Sequence, residues 1–227
     1  MLFSVSCGLA PPFLSSMTMT LVATEAEPRV RRRGRIEYET AWHEMREFTA
    51  QRVTDTADEL WLVEHPPVYT LGVAGRATHL PRVDNGIPVV KVDRGGQITY
   101  HGPGQVVLYL LLDLRRRQLA VRALVRRMER AVIDLLGDRG IVAEGRIEAP
   151  GVYVGDAKIA ALGLRVRNGC CYHGIAFNVD MDLSPFRVID PCGYSGLAVT
   201  QARDLGIAAS EEALGEELVR YMLRSLQ

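Results

Sequence analysis

A cysteine between a proline and a glycine is the first residue in this chain whose setting could support chemistry. Cys192 lies in Asp190-Pro191-Cys192-Gly193, where the proline restricts the backbone ahead of the thiol and the glycine leaves space behind it. A thiolate held on such a turn can attack a carbonyl and carry the acyl group, while backbone N–H groups stabilise the oxyanion. The structural alternative is a small buried residue in a surface turn, and a cysteine taken alone favours that alternative.

Lys158 is the second candidate, because Lys91 and Lys158 are the lysines among 27 basic residues and the others are arginines. Where any cation would serve, this chain uses arginine, so a retained lysine indicates a need for an amine that can lose its proton. Lys158 begins an apolar segment, so its amine either extends to solvent or lies buried. Beside a cysteine, the ammonium would favour the thiolate and the amine could carry the proton between thiol, leaving group and incoming amine.

Residues 94–105 form the third candidate, a glycine-rich segment with interleaved polar side chains. Glycines let a backbone approach a ligand closely and point amides at it. Arg94, Thr99, Tyr100 and His101 add polar groups in the same stretch. The segment lacks both the Gly-Lys-Ser/Thr ending of a P-loop and the GxGxxG pattern. A glycine-rich hairpin is the alternative, but the interleaved polar residues favour a binding loop.

The remaining cysteines and histidines are interpreted as structural. Cys170 and Cys171 adjoin a predicted Asn168-Gly169 turn, and the four cysteines show neither a CxxC pair nor a disulfide framework, which indicates reduced thiols. Zinc bound by Cys170, Cys171, His173 and Cys192 is disfavoured, because adjacent cysteines do not easily reach one tetrahedral ion. We therefore expect no metal site and no cofactor.

Composition excludes several function classes. The 227 residues are 48% hydrophobic and 24% charged, with a formal net charge of zero, which argues against a nucleic-acid binder. No run approaches the ~18 apolar residues of a membrane span. Residues 1–22 are apolar and rich in Ser and Thr, but no basic residue precedes Arg29, so the basic region of a signal peptide is missing. We expect residues 1–34 to be a disordered or wrongly assigned extension, residues 35–227 to form the folded domain, and the protein to be cytoplasmic.

Hydrophobic periodicity predicts the elements that position these residues. Strands and helices are mixed without strict βαβ alternation, which favours a single α+β or mixed-sheet domain. The predicted elements are a helix over 38–53, a strand over 59–65 ended by Pro66-Pro67, short strands at 68–71 and 88–93, a buried central strand over 105–113, a helix over 117–137, a hairpin of 157–166 and 171–179, and a final helix capped by Ser210.

Taken together, five segments resemble the lipoate-pathway octanoyltransferase family. They are Glu64-His-Pro-Pro-Val-Tyr-Thr-Leu-Gly72, residues 94–105, Gly155-Asp-Ala-Lys-Ile-Ala160, His173-Gly-Ile-Ala-Phe-Asn178 and Pro191-Cys-Gly193. Each segment is modest alone, but their order and spacing from residue 35 onward are highly specific. Nothing functional is transferred to the residues before 35.

The resemblance implies a fold shared with biotin and lipoate protein ligases, with a larger and a smaller mixed sheet flanked by helices. It implies that Cys192 forms the acyl thioester and that Lys158 lowers the pKa of its thiol. It also implies an acyl site formed by Arg94, Gly95, Gly96, Gln97, Ile98, Thr99, Tyr100, His101, Ala161, Leu162, Gly163, Gly174, Ile175 and Ala176.

The implied reaction moves an octanoyl group from octanoyl-acyl carrier protein to a lysine. The expected acceptors are the apo lipoyl domains of 2-oxoacid dehydrogenases and the glycine cleavage H protein, with neither nucleic acid nor membrane as partner. Carrier proteins are acidic, so two arginine clusters are candidate docking surfaces, and an ordinary solvated helix face is the alternative. The clusters are Arg29, Arg31, Arg32, Arg33 and Arg35, and Arg115, Arg116, Arg117, Arg122, Arg126 and Arg127.

Two alternatives remain close to this interpretation. An ATP-dependent lipoate or biotin protein ligase of the same fold would form an acyl-adenylate and would not need Cys192, although it would also use a lysine. A non-catalytic module that recognises lipoyl domains would need neither residue. The presence of both Cys192 and Lys158 favours the transferase.

Overall fold

The computed structural model describes residues 26–147, 149–189 and 197–227. Its helices are α1 (Tyr38–Ala50), α2 (Val121–Gly137) and α3 (Glu211–Leu226). Its strands are β1 (Arg29–Arg35), β2 (Glu59–Glu64), β3 (Val68–Leu71), β4 (Val89–Lys91), β5 (Ile98–His101), β6 (Gln105–Asp113), β7 (Glu144–Gly145), β8 (Gly151–Val154), β9 (Ala157–Arg167) and β10 (Cys170–Asn178). The described strands form a seven-stranded sheet, in the order β1-β2-β6-β10-β9-β8-β7, and a three-stranded sheet, in the order β4-β3-β5.

Strand β6 lies inside the large sheet, as its apolar run predicts. All its residues from Gln105 to Leu112 are buried. It pairs antiparallel with β2 on one side and with β10 on the other. Because both of its faces are covered, the strand needs no alternation of polar and apolar residues.

Helices cover both faces of the large sheet. Helices α2 and α3 enclose the main core on one face, and α1 packs Ala41 and Met45 against the other face beside Trp61. Helix α2 begins at Val121 rather than at residue 117, because Gln118 has a left-handed φ of 48° that interrupts a helix. Helix α3 begins as predicted, with the Ser210 hydroxyl accepting a hydrogen bond from the Ala213 N–H at 3.2 Å.

The hairpin of β9 and β10 confirms the Asn-Gly signal. Asn168 and Gly169 have φ values of 51° and 76°, the left-handed pair that a tight two-residue hairpin turn requires. The register pairs Gly163 with Gly174 and Ala161 with Ala176. The turn therefore places two of the predicted acyl-binding segments side by side.

The folded part of the chain begins earlier than residue 35. Residues 29–34, which the sequence analysis assigns to an extension, belong to strand β1, which pairs parallel to β2 at the edge of the large sheet. The arginine-rich sequence of β1 does not predict a strand, because it has no alternation of polar and apolar residues. An edge strand does not need that alternation, since its side chains can remain exposed. Its arginines are held by carboxylates instead, as in the contact of 2.6 Å between Arg31 and Glu59.

The predicted fold class is confirmed: a larger and a smaller mixed sheet are flanked by helices. No helix in the described ranges combines the length and the apolar character needed to cross a membrane.

Candidate active site

A cleft lies between the hairpin β9–β10 of the large sheet and the strand β5 of the small sheet. It holds about 750 Å³ of empty space, part of which is open to solvent. The structure brings the predicted segments together along it. The predicted residues that line it are Lys158, Arg94, Gly96, Gln97, Ile98, Thr99, His101, Ala161, Leu162, Gly163, Gly174, Ile175 and Ala176.

Arg94 fixes the glycine-rich segment to the small sheet. Its guanidinium donates to the Thr70 carbonyl and hydroxyl, at 2.5 and 2.7 Å, and to the Gly95 carbonyl at 2.9 Å. The backbone passes so close to this site that a Cβ at Gly72 would lie 2.8 Å from the Arg94 carbonyl oxygen. The buried arginine therefore acts as a scaffold for the loop, with its donors engaged by protein acceptors.

Two predicted acyl-site residues do not line the cleft. The Gly95 N–H donates to the Leu164 carbonyl at 3.0 Å, which joins the loop to β9. Tyr100 packs its ring against Tyr69 and Phe186, with centroid distances of 5.6 and 5.5 Å. Both residues support the walls of the cleft from behind.

Lys158 lies at one end of the cleft and only 4% of it is exposed. Its ammonium lies 5.4 Å from the centroid of the Tyr153 ring, and its backbone pairs with the segment 198–200. A Cβ at Gly151 would overlap the Lys158 side chain and lie 3.0 Å from Nζ, so the glycine makes room for the lysine. The sequence alternative of a lysine that extends to solvent is thus wrong.

Glu129, on helix α2, is a carboxyl near this lysine that the sequence analysis missed. Burial raises its pKa, while the Gly151 N–H, Arg126 and the positive charge of Lys158 oppose that rise. The Gly151 N–H donates to its Oε1 at 3.4 Å. Its signal in the sequence is weak, because a glutamate among arginines on a helix is typical of a solvated face.

The predicted nucleophile, Cys192, lies outside the described residues, since the structure describes nothing between 189 and 197. Cys170 and Cys171 are buried in β10, and burial raises the pKa of the Cys171 thiol to about 12. A thiol with so high a pKa is not a nucleophile at neutral pH. The burial of Cys170 and Cys171 is consistent with their interpretation as structural residues.

A network of buried polar side chains lies beneath the cleft, and the sequence does not predict it. His101 Nδ1 donates to the Gln105 Oε1 at 2.7 Å, and the Gln105 amide donates to Asn178 at 2.9 Å. His65 Nδ1 donates to the Ile36 carbonyl, which leaves Nε2 to accept from the Tyr109 hydroxyl at 2.6 Å. The residues come from β5, β6 and β10, from the residue after β2 and from the segment before α1, so no local pattern could reveal that they meet.

Burial keeps the histidines of this network neutral. It lowers the pKa of His65 to about 4 and the pKa of His101 well below its usual value. It also raises the pKa of the Tyr109 hydroxyl well above its usual value. The network is therefore a set of neutral hydrogen-bonding groups near neutral pH.

A metal ion finds no ready site in this region. Within the described ranges, no group of three or more His, Cys, Asp or Glu side chains is arranged to hold one. Cys171 faces the apolar core on the helix α2 side, whereas His173 lines the cleft and contacts Asp93. The two side chains therefore point to opposite faces of the sheet.

Comparison with known proteins identifies the family. The family model of the lipoyl protein ligase A/B catalytic domain matches residues 37–220. An octanoyltransferase of Azoarcus sp. is 63% identical over 197 residues, which cover 87% of each chain. An octanoyltransferase of Dechloromonas aromatica is 60% identical and covers 88% of this chain and 97% of that one.

A solved structure supports the fold independently. The bi-partite lipoate protein ligase of Thermoplasma acidophilum superposes with a TM-score of 0.69 at 18% identity, over 89% of this chain and 84% of that one. At this identity the likeness concerns the fold alone. The family match and the similar relatives show that the chain belongs to the octanoyltransferase family and is an acyltransferase, with the catalytic domain of lipoyl protein ligase A/B.

Proposed function

We propose that the protein transfers an octanoyl group from octanoyl-acyl carrier protein, through a thioester on Cys192, to the lysine of lipoyl domains. The observation that carries the proposal is a titratable amine, Lys158, buried at the end of a cleft with an apolar wall. A cleft of this kind suits an acyl chain, and the amine suits proton transfer at the reacting end. Ala198, which accepts from the Lys158 N–H at 2.8 Å, follows Cys192 by six residues.

The first half of the reaction exchanges one thioester for another. The Cys192 thiolate attacks the octanoyl carbonyl, the bond to the phosphopantetheine sulfur breaks, and that sulfur leaves and takes a proton. Bonds of the same kind form and break, so the step needs no ATP. The ammonium of Lys158 favours the Cys192 thiolate and supplies the proton to the leaving sulfur.

The second half forms an amide. The neutral amine of the target lysine attacks the Cys192 thioester, the C–N bond forms and the C–S bond breaks. The proton that the amine loses passes through Lys158 to the sulfur of Cys192. An amide is more stable than a thioester, so this half drives the transfer forward.

The acyl chain lies in the cleft along the hairpin. Ile98, Leu162 and Ile175 supply apolar surface there, and the small residues Ala161, Gly163 and Ala176 leave room for the chain. Each methylene of the acyl chain that is buried contributes about 0.8 kcal/mol to the binding free energy. Chain-length preference is therefore graded rather than absolute.

The charge of the two arginine clusters indicates where an acidic carrier protein would bind. Arg31, Arg32, Arg33 and Arg35 of the first arginine cluster each contact a glutamate, so their charge is largely neutralised. Arg122 and Arg126 on α2 are exposed and Arg127 is partly exposed, so these three arginines are the better docking surface for an acidic carrier protein. Apo lipoyl domains and the glycine cleavage H protein are the proposed acceptors, and the cytoplasm is the proposed location.

Mass spectrometry of the intact protein tests the thioester. We expect incubation with octanoyl-acyl carrier protein, without ATP, to add one octanoyl group that hydroxylamine removes. Cys192→Ser should form no such labile adduct, whereas the matched control Cys170→Ser should still form it. A hydroxylamine-labile adduct on Cys192→Ser would show that Cys192 is not the nucleophile. Activity that requires ATP and free octanoate would instead indicate a ligase.

A further inference from the structure

His173 has a backbone conformation that strand residues rarely adopt. It lies within β10, yet its φ is 67°, in the left-handed region. In a regular strand consecutive side chains point to opposite faces. Here Tyr172 and His173 both donate to Asp93, His173 through Nε2 at 3.3 Å. The unusual backbone thus turns the imidazole toward the cleft, and strain of this kind is retained where the side chain must stand in one place.

The hydrogen bond to Asp93 fixes which nitrogen of His173 carries the proton. Although burial opposes it, hydrogen bonds from His173, Tyr172 and Trp42 hold the pKa of Asp93 below its usual range. The carboxylate therefore accepts from Nε2–H, and burial keeps the ring neutral by lowering the pKa of His173. Nδ1 is left with a lone pair and no proton.

That lone pair is buried and has no donor among the described residues. His173 is 2% exposed and lines the cleft. Buried acceptors in proteins are nearly always satisfied, so Nδ1 calls for a donor that enters from the cleft. An alkyl chain has no donor, whereas a water molecule has two. Tyr109 and Arg94 line the same end and supply the polar surroundings that a held water needs.

The register places His173 at the opposite end of the cleft from Lys158. His173 and Asn178 are five positions apart in β10, which corresponds to about 17 Å along a strand, and Asn178 lies at the Lys158 end. An extended octanoyl chain covers roughly 9 Å with its seven C–C bonds. Contact of its carbonyl with the reacting groups takes about 3 to 4 Å more. The terminal methyl then ends within a few Å of the imidazole.

We propose that His173 determines the longest acyl chain that the cleft accepts. The proposal rests on the octanoyl transfer proposed above. A water held by Nδ1 fits beyond the methyl of an octanoyl chain. Two further carbons would displace that water and leave the buried acceptor facing an alkyl group. Longer chains are therefore disfavoured by the polar wall as well as by the length of the cleft.

Two variants that tolerate a positive φ test this proposal. His173→Gly removes the ring and the acceptor, and His173→Asn keeps a polar group in a smaller side chain. The measurement is the ratio of kcat/KM for decanoyl to that for octanoyl carrier protein. We expect the ratio to rise about tenfold or more for His173→Gly and less for His173→Asn. An unchanged ratio in both variants, or an equal fall in kcat/KM for every chain length, would overturn the proposal.

A matched control removes a different buried histidine from the same face of the large sheet. His65 is also buried and neutral, but it does not line the cleft. His65→Asn should leave the decanoyl-to-octanoyl ratio unchanged. If His65→Asn raises the ratio as much as His173→Gly does, the effect comes from general loosening of the cleft face and the proposal is wrong.

Binding of free fatty acids separates this proposal from the proposed function. For the wild-type protein, we expect the rise in Tm to be largest with octanoic acid and to fall with decanoic and dodecanoic acids. In His173→Gly the largest rise should move to decanoic acid. Equal stabilisation of the wild type by dodecanoic and octanoic acids would refute the length limit. If octanoyl transfer required ATP, the transfer mechanism would fail while this binding series still decided the role of His173.

Discussion

The two faces of the large sheet are built from different chemistry. On the side of α2 and α3, the core is apolar, and residues such as Leu108, Leu110 and Phe177 are fully buried. On the other side, beneath α1 and the small sheet, buried histidines and tyrosines form a hydrogen-bonded network around the cleft. The first face stabilises the fold by burying apolar side chains. The second face buries polar groups, which is less favourable, and these groups shape the site.

The difference shows how one sheet can serve two purposes. Strand β6 contributes to both faces, because alternate residues point to opposite sides. Leu108 and Leu110 face the apolar core, and Val107 and Tyr109 face the cleft. Substitutions on the two faces should therefore separate activity from stability.

The largest expected effect is on activity, at Lys158. Lys158→Met keeps the apolar stem and removes the amine, so we expect kcat/KM to fall by about 10³-fold, as for loss of a general acid–base. Lys158→Arg should recover little, because an arginine retains the charge but does not release a proton. Octanoyl transfer by each variant, compared with its midpoint of urea unfolding, is the measurement. Full activity of Lys158→Arg would show that charge alone suffices.

The next effect is on stability, in the apolar face. Leu110 is fully buried, and Leu110→Ala should lower the free energy of unfolding by about 2 to 5 kcal/mol. The substitution lies on the opposite face from the cleft, so kcat/KM at low temperature should change less than threefold. Val142→Ala is the control, because Val142 is 87% exposed and its loss should cost almost nothing. A large fall in activity with unchanged stability would break the division between the faces.

The predictability of the two faces also differs. The apolar run of β6, the periodicity of α2 and the Asn-Gly turn between β9 and β10 are local patterns, so the sequence predicts them. Strand β1 is not predicted, because its arginines give no apolar alternation. The predicted acyl-site segments meet in one cleft, but only the family resemblance predicts their grouping.

The network residues could not be predicted in the same way. His65, His101 and Tyr109 come from three separate segments, and each alone looks like an ordinary core residue. The left-handed backbone of His173 is equally hidden, because a positive φ is uncommon for histidine even though it is more frequent there than in most residues. Tertiary packing decides both features, and the five site segments were recognised only in combination.

The smallest expected effect is the pH dependence of stability, and it belongs to the cleft face. Burial lowers the pKa of His65 from its usual 6.5 to about 4, so the folded state binds fewer protons than the unfolded state between these values. His65 therefore contributes stability above pH 6.5, and that contribution is lost as the pH falls toward 4, by up to about 3 kcal/mol. His65→Gln should flatten the dependence of unfolding free energy on pH, measured in urea between pH 4 and 7. Leu110→Ala should shift the curve downward and keep its slope. If His65→Gln keeps the full slope, the buried histidine is not its source, and the remaining candidates on that face are His101 and His173.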